Sequence, residues 1–423
     1  MDGDPRGAGA RRVGCSADEL PTDGAGAPYI VDHSEACAIV VQDALRERIE
    51  SISEAPIEAC RRIHFGGPTP AGWCGYEALI AAGSGERPAA NVRPVDSFAL
   101  MYTSGTTGNL KGAIRSQQGN ALIAMATALE FGFSRDDTAL LVMPMCHANS
   151  LYFGMTFIYL GATVIVDDRK SFDPEALLAT LSGERVTFTS LVPTHYFRML
   201  GLPDAVRAKY YVSAVGKLLV SSAQARKDTQ LAMLEYFANS RLFELYGATE
   251  TGWVTLLRPE EQIDKLGSVG REWAGSGAIR LLDANGDEVP DGEVGELYSR
   301  TSCVCDGYWK HPQKTAEAFR GEWCSVGDMA RRRRLHPPRR PQEPHDHQRP
   351  REHLSVRNRG RDRCASEGQG RRSDLRSARQ MGRDRRGGDR AAGRAARHRC
   401  RDRRLVPRPH RRLQALQRGD VHR

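Results

Sequence analysis

The sequence predicts an α/β fold with largely parallel sheets, followed by a smaller β-rich subdomain. Three observations predict it. Between Phe98 and Leu245, short apolar runs alternate with segments of helical length and texture. Runs such as Ala139–Met143 and Leu218–Val220 are apolar without interruption, as in strands covered on both faces. Beyond Gly267 the rhythm changes to short strands and turns, with Asp283-Ala-Asn-Gly286 as a hairpin signal.

Taken in order, residues 1–28 are rich in Gly, Ala and Asp with little periodicity, and are set apart as a leader. From Tyr29 the texture predicts a helical turn, a buried strand around Ala38–Val41 and a helix over Asp43–Ile52. Gly66–Ala90, with its Gly-Gly-Pro and Gly-Ser-Gly, reads as mostly loop. Phe98–Tyr102 is a strand, and Gln118–Phe131 an alanine-rich helix. Strands follow at Ala139–Met143, Ala162–Val166, Phe188–Val192, Leu218–Val220 and Leu242–Leu245. Helices are expected over Tyr152–Leu160 and Pro174–Gly183. Gly295–Tyr298 is a strand of the β-rich part, which is expected to end near Asp328.

The most informative stretch is Met101–Ser116, M-Y-T-S-G-T-T-G-N-L-K-G-A-I-R-S. Five hydroxyl side chains and three glycines lie between Tyr102 and Gly112, with Lys111 before the last glycine. Glycine lets a backbone approach a ligand closely, and successive N–H groups and hydroxyls can line an anion. Lysine adds a mobile positive charge. After a buried strand, such a loop suits phosphate, although the same composition also marks ordinary linkers. The common nucleotide P-loop is not met, because Gly112 follows Lys111 where Ser or Thr is needed.

Two further blocks stand out. Arg241–Gly252, R-L-F-E-L-Y-G-A-T-E-T-G, runs a short strand into a polar turn with Thr249 and Glu250. The other block holds Gly295-Glu-Leu-Tyr-Ser-Arg300, Gly307-Tyr-Trp309, Thr315, Phe319 and Trp323-Cys-Ser-Val-Gly-Asp328. Together, in this order, they resemble the AMP-forming adenylating enzymes: acyl-CoA synthetases, peptide-synthetase adenylation domains and luciferases. The loop fits their [YF]-T-S-G-[ST]-T-G-x-P-K-G except at Leu110, usually proline there. Val326 likewise stands where threonine is usual.

The resemblance covers roughly Tyr29–Ala330 and implies the large N-terminal adenylation domain of the acyl-CoA synthetase type. It implies that Thr103, Ser104, Gly105, Thr106, Thr107 and Gly108, with Lys111, hold the pyrophosphate end of ATP. Tyr246 would stack on adenine, with Gly247 and Ala248 beside it; Thr249 would contact phosphate and Glu250 would hold Mg²⁺, a hard ion suited to carboxylate oxygen. Ser222, Ala223 and Gln224 lie where the family packs a small-residue segment against adenine, with serines here in place of glycines. Asp328 would accept hydrogen bonds from the ribose hydroxyls. Met143-Pro-Met-Cys-His147 resembles a segment beside the acyl pocket, which places His147 in the active site. The implied activity is an acid–CoA ligase using ATP, Mg²⁺ and coenzyme A on a fatty or aromatic carboxylic acid. A non-catalytic nucleotide binder is the alternative from another class.

Composition narrows the rest. No run of about 18 apolar residues predicts a membrane span, and no secretory leader is seen at the N-terminus. Ten cysteines without a C-x-x-C pair read as reduced cytoplasmic thiols, with neither a zinc site nor a disulfide framework. The net charge of +9 is unevenly spread. Residues 331–423 contain 31 Arg, no Lys and 10 acidic residues, a net of +21, while the other 330 residues carry a net of −12. An Arg-rich tail suggests polyanion binding. No specific nucleic-acid role is assigned, because the tail has no lysine and no Phe, Tyr or Trp.

Past Asp328 the family continues into a hinge and a C-terminal domain that supplies a catalytic lysine; here residues 331–423 read as a disordered tail instead. A one-base shift explains the change. Read so, His345–Ser355 can encode M-I-I-S-G-R-E-N-I-Y-P, which resembles the opening of the family's C-terminal domain. The same shift over Gly14–Ala27 allows words that resemble the family's lead-in to Tyr29. The expected organisation is therefore an out-of-frame or disordered leader (1–28), a partial adenylation domain (29–330) and an Arg-rich tail (331–423), with ligase activity weak in the chain as written. Fresh nucleotide reads around Gly14 and between Asp328 and His345 test this directly. Single-base insertions or deletions flanking an in-frame body are expected, and codons that forbid the shifted words would end the idea.

Overall fold

A computed structural model describes residues 12–13, 26–50, 57, 61–86, 89–104, 110–169, 171–223, 225–334 and 352–357. Residues 1–360 form one compact unit, and the second unit, 361–423, lies outside the described residues. In chain order the first unit opens with β1 (Arg12–Val13), α1 (Gly26–His33), β2 (Ile39–Gln42), α2 (Arg46–Glu50), β3 (Arg62–Phe65), β4 (Cys74–Gly75) and α3 (Tyr76–Ala82). It continues with β5 (Ser97–Ser104), β6 (Leu110–Ser116), α4 (Gln117–Phe131), β7 (Thr138–Leu141), α5 (Ala148–Leu160), β8 (Thr163–Val166), α6 (Pro174–Gly183) and β9 (Phe188–Leu191). Next come α7 (Pro193–Leu200), α8 (Asp204–Arg207), β10 (Lys217–Val220), α9 (Lys227–Tyr236), β11 (Arg241–Ala248) and β12 (Gly252–Leu257). The last elements are β13 (Arg271–Glu272), β14 (Ser276–Leu282), β15 (Val294–Thr301), α10 (Pro312–Ala318), β16 (Phe319–Arg320), β17 (Trp323–Cys324), β18 (Met329–Arg334) and β19 (Glu352–Arg357).

The central sheet has the order β13-β12-β11-β10-β9-β7-β8. Its strands β8, β7, β9, β10 and β11 pair in parallel, and β12 and β13 close it antiparallel. Parallel strands need helical crossovers, which cover both faces and explain the unbroken apolar runs. On one face, α4 and α5 bring Phe131, Phe133, Phe153 and Phe157 onto Phe188 of β9, with ring centroids 4.8–6.4 Å apart where they touch. On the other face, α6, α7 and α9 pack Leu177, Leu178, Leu181, Tyr196, Met199 and Met233 onto Leu218 and Val220. The helix ends carry their own signals. Ser116 caps α4 by accepting from the Gly119 N–H, and Asp173 caps α6 by accepting from those of Glu175 and Ala176.

Three smaller sheets surround this core: β1-β5-β6, the parallel β2-β3-β4, and the antiparallel β16-β17-β15-β18-β19 with β14 on β15. The expected hairpin signal is a tight turn: Asp283 accepts from the N–H groups of Asn285, Gly286 and Asp287.

Three expectations need correction. Gly66–Ala90 holds the short strand β4 and the helix α3 as well as loop, because Tyr76-Glu-Ala-Leu-Ile-Ala-Ala82 is a run of good helix formers after a glycine. Leu110–Ser116 is a strand that pairs antiparallel with β5, so the Gly/Ser/Thr loop is the tip of a β-hairpin. Strand structure also continues past residue 330. The arginines 331–334 belong to β18, which pairs with β15 and with β19. Leu354 is buried against Val254, Val269 and Leu281, and its N–H and C=O bond to Gly270 and Val269. Residues 335–351 and 358–423 of the expected tail lie outside the described residues, as do 1–11 and 14–25 of the leader.

Candidate active site

The strands of the parallel sheet all point their C-terminal ends toward one edge, where open α/β sheets bind ligands. Tyr246–Ala248 end β11 there with Thr249 and Glu250 just beyond, Ser221–Ala223 follow β10, and Met143–His147 follow β7. The β11–β12 turn is forced by a glycine. A Cβ on Gly247 would lie 2.3 Å from the carbonyl oxygen of Gly252, and the register of the two strands shifts at Tyr246/Gly247. This bulge turns Thr249 and Glu250 away from the ladder.

Glu250 is 6% exposed. Its Oε1 accepts from Thr103 Oγ1 at 3.1 Å and from the Tyr308 hydroxyl at 2.8 Å. Lys111 Nζ donates to that same hydroxyl at 3.2 Å and lies 4.4 Å from the centroid of the Tyr308 ring. Thr103 and Lys111 face each other across the hairpin. From below, the buried guanidinium of Arg115 donates to the backbone carbonyls of Thr249 and Glu250 at 3.3 and 3.4 Å. The N–H of Cys305 donates to the Glu250 carbonyl at 2.7 Å. Two remote segments, the β5–β6 hairpin and the stretch from Cys305 to Tyr308, thus converge on the turn that carries this carboxylate.

Part of the expected loop cannot be placed. Gly105, Thr106, Thr107 and Gly108 lie outside the described residues; Ser104 pairs with Leu110 through its backbone, and its side chain is likewise outside. Among the described residues no cluster of three or more His, Cys, Asp or Glu forms a metal cage. A single carboxylate flanked by hydroxyls still fits Mg²⁺, which keeps most of its waters and takes its other ligands from substrate phosphates.

A second convergence joins Tyr246 and Asp328. Tyr246 donates from its hydroxyl to Asp328 Oδ2 at 2.9 Å, joining the central sheet to the β-rich subdomain. Burial and the Asp328 carboxylate push the Tyr246 phenol well above its ordinary range. After β10, Ser221 is buried while Ser222 and Ala223 are exposed, and Gln224 lies outside the described residues. Ser222 has φ 64°, a left-handed conformation suited to glycine, which fits its place among the family's glycines. Ala248, half-buried, takes the Thr251 hydroxyl as partner for its N–H at 3.1 Å. His147 occupies the N-cap position of α5 in the segment after β7, its N–H donating to the Pro144 carbonyl at 3.0 Å. It stands on the same sheet edge as Tyr246.

Sequence reasoning missed three residues. Arg115 follows Lys111 and Ala113 at strand period two, so its inward aim was readable once Leu110–Ser116 was taken as a strand. Tyr308 was quoted as part of a motif, but its bond to Glu250 depends on folding. Glu244 is 2% exposed on β11 and is held by the Gln230 amide and the Ala225 N–H. Burial raises its carboxyl to about 8.

A protein-family comparison matches the AMP-binding enzyme model over residues 20–309. The chain belongs to the AMP-binding enzyme family. The match starts inside the segment set apart as leader, and α1 begins there too, at Gly26. This AMP-binding enzyme is 29% identical over 293 residues to an indoleacetate–CoA ligase of Aromatoleum aromaticum, covering 68% of this chain and 54% of that one. It is also 29% identical over 253 residues to the medium/long-chain-fatty-acid–CoA ligase FadD8 of Mycobacterium tuberculosis, covering 57% and 42%. The chain therefore spans about half the length of these curated relatives. Among solved structures, the anthranilate CoA ligase AuaEII in complex with anthranoyl-AMP superposes with a TM-score of 0.69 at 23% identity, over 73% of this chain and 59% of that one. No described helix is long and apolar enough to cross a membrane.

The buried Glu244 gives a pH signature. Its carboxyl keeps its proton up to about pH 8 in the folded protein but loses it near the ordinary value of 4.5 when unfolded. The folded state binds more protons between those values, so stability falls as pH rises from about 5 to about 8. Urea denaturation across that range should show a shallower decline for Glu244→Gln than for the wild type. Equal slopes would mean that Glu244 titrates normally.

Proposed function

We propose that this chain carries the nucleotide site of an AMP-forming acid–CoA ligase. A carboxylate oxygen attacks the α-phosphorus of ATP, the bond to the bridging oxygen breaks, and pyrophosphate leaves. The acyl-adenylate then meets the thiol of coenzyme A, which forms the thioester and releases AMP. The observation that carries this reading is the placement of Thr103 and Lys111, facing each other on β5 and β6, and of Tyr308 around the Glu250 carboxylate.

Each side chain has a task that follows from its chemistry. Lys111 holds the charge that moves onto pyrophosphate, assisted by the hydroxyl of Thr103. Glu250 is the ligand for Mg²⁺, which when bound neutralises phosphate oxygens. Tyr246 offers a ring edge and face for adenine, and Asp328 a carboxylate for ribose hydroxyls. Thr249 presents a hydroxyl at the same turn. His147, at the end of β7, borders the space for the acid. The relatives' names join aromatic acids with a medium- or long-chain fatty acid, so the substrate class proposed is a carboxylic acid of either kind. Residues 29–330 with β19 are proposed as the adenylation part, and the Arg-rich segment as no evolved nucleic-acid arm.

Saturable MgATP binding is the expected outcome in calorimetry, with Glu250→Gln weakening it about 100-fold. ATP–pyrophosphate exchange over a panel of indoleacetate, anthranilate and long-chain fatty acids then reads the adenylation step. Binding that is saturable but without exchange on any acid would reduce the function to nucleotide binding. Binding unaffected by Glu250→Gln would remove that residue from the site.

A further inference from the structure

Tyr308 stands between two opposite charges. Its hydroxyl donates to Glu250 Oε1 at 2.8 Å and accepts from Lys111 Nζ at 3.2 Å, and the residue is 5% exposed. The backbone fixes it firmly. Tyr308 bridges Ala113 of β6, its N–H donates to Thr315 Oγ1 at 2.9 Å, and the next N–H, of Trp309, donates to the Gly112 carbonyl at 2.8 Å. Gly307, at φ 115°, has no room for a Cβ, which would lie 2.7 Å from Thr315. The ring packs with Ala113, Cys305 and Ala318. Lys111, by contrast, reaches the site on a flexible four-carbon stem.

A lysine and a buried glutamate this close to a common partner are drawn together, and a direct ion pair would occupy both groups. A phenol between them accepts one hydrogen bond from the lysine, donates one to the glutamate and keeps them apart. We infer that Tyr308 is a positioning residue: its hydroxyl holds Lys111 and Glu250 in one network while preventing a direct ion pair, so that both charges stay available to a Mg²⁺–nucleoside triphosphate. The inference rests on the proposed function for its purpose, but the clasp itself exists without nucleotide. Lys111 would hold the phosphates and Glu250 the Mg²⁺ of a bound nucleotide, and only hydrogen bonds to a neutral hydroxyl would have to be exchanged.

The test uses the full chain and Tyr308→Phe, which keeps the ring and removes the hydroxyl. Two readouts are needed. In nucleotide-free protein, brief acylation of amines followed by peptide mass spectrometry compares Lys111 with the other lysines. Lys111 labelling should fall about threefold in Tyr308→Phe as the ammonium closes on Glu250, and return in the double variant Tyr308→Phe/Glu250→Gln. Unchanged labelling overturns the inference. In calorimetry, the Mg²⁺ needed for ATP binding should rise about tenfold in Tyr308→Phe, while AMP binding without Mg²⁺ stays as in the wild type. A purely structural loss would weaken both ligands alike and contradict the inference. If the wild type binds no MgATP, the proposed function fails and the labelling result alone decides the role of Tyr308. Should Tyr308→Phe fail to fold, Glu250→Gln by itself decides: labelling within twofold of wild type supports the clasp, and a severalfold rise shows that Lys111 was already paired with Glu250.

Discussion

The structure depends on holding one carboxylate, that of Glu250, almost out of water. A buried charge must be met by donors or it destabilises the fold. Here a threonine and a tyrosine hydroxyl meet the side chain, and the Arg115 guanidinium and the Cys305 N–H meet the backbone around it. Those four partners come from the β5–β6 hairpin and from the segment ending at Tyr308. Meeting the needs of Glu250 therefore assembles the hairpin, the β11–β12 turn and the entry to α10 around one point. Arg115 is itself fully buried, with two guanidinium nitrogens that have no hydrogen-bond partner among the described residues, and it faces the Tyr152 ring at 5.3 Å.

The parallel sheet explains where that point lies. Strands β7, β9, β10 and β11 share a direction, so the loops leaving them gather at one edge, and each brings a different group. Helices on both faces bury the apolar strands and leave the edge polar. The Tyr246–Asp328 bond then ties the β-rich subdomain to this edge, so the positions of these two side chains are set by two sheets at once. A site made this way has its precision in strand ends, and its flexible charge in the long side chain of Lys111.

Much of this was legible in the sequence because the apolar runs are long and unbroken. Phe188, Leu191, Leu218 and Val220 are core residues in the structure, and the strands holding them were expected almost to the residue. Thr103, Lys111, Tyr246, Glu250 and Asp328 were legible as letters of a motif, and the structure shows which of them touch. Strand β6 was not legible, because Lys111, Gly112, Arg115 and Ser116 break its apolar pattern. Tyr308 and Glu244 act through partners 58 and 14 residues distant, which no local pattern encodes. The arginines of β18 escaped for the opposite reason. Their composition suggests a solvated tail, whereas backbone pairing to β15 and β19 and the burial of Leu354 determine their structure.

The central claim is that the hairpin and the Glu250 turn form one nucleotide site. Hydrogen–deuterium exchange with and without MgATP tests it most directly. The account predicts joint protection of peptides covering Met101–Ser116, Tyr246–Glu250 and Cys303–Trp309, lost together in Glu250→Gln. Protection confined to the Arg-rich segment after residue 357, or none in these three peptides, would contradict it.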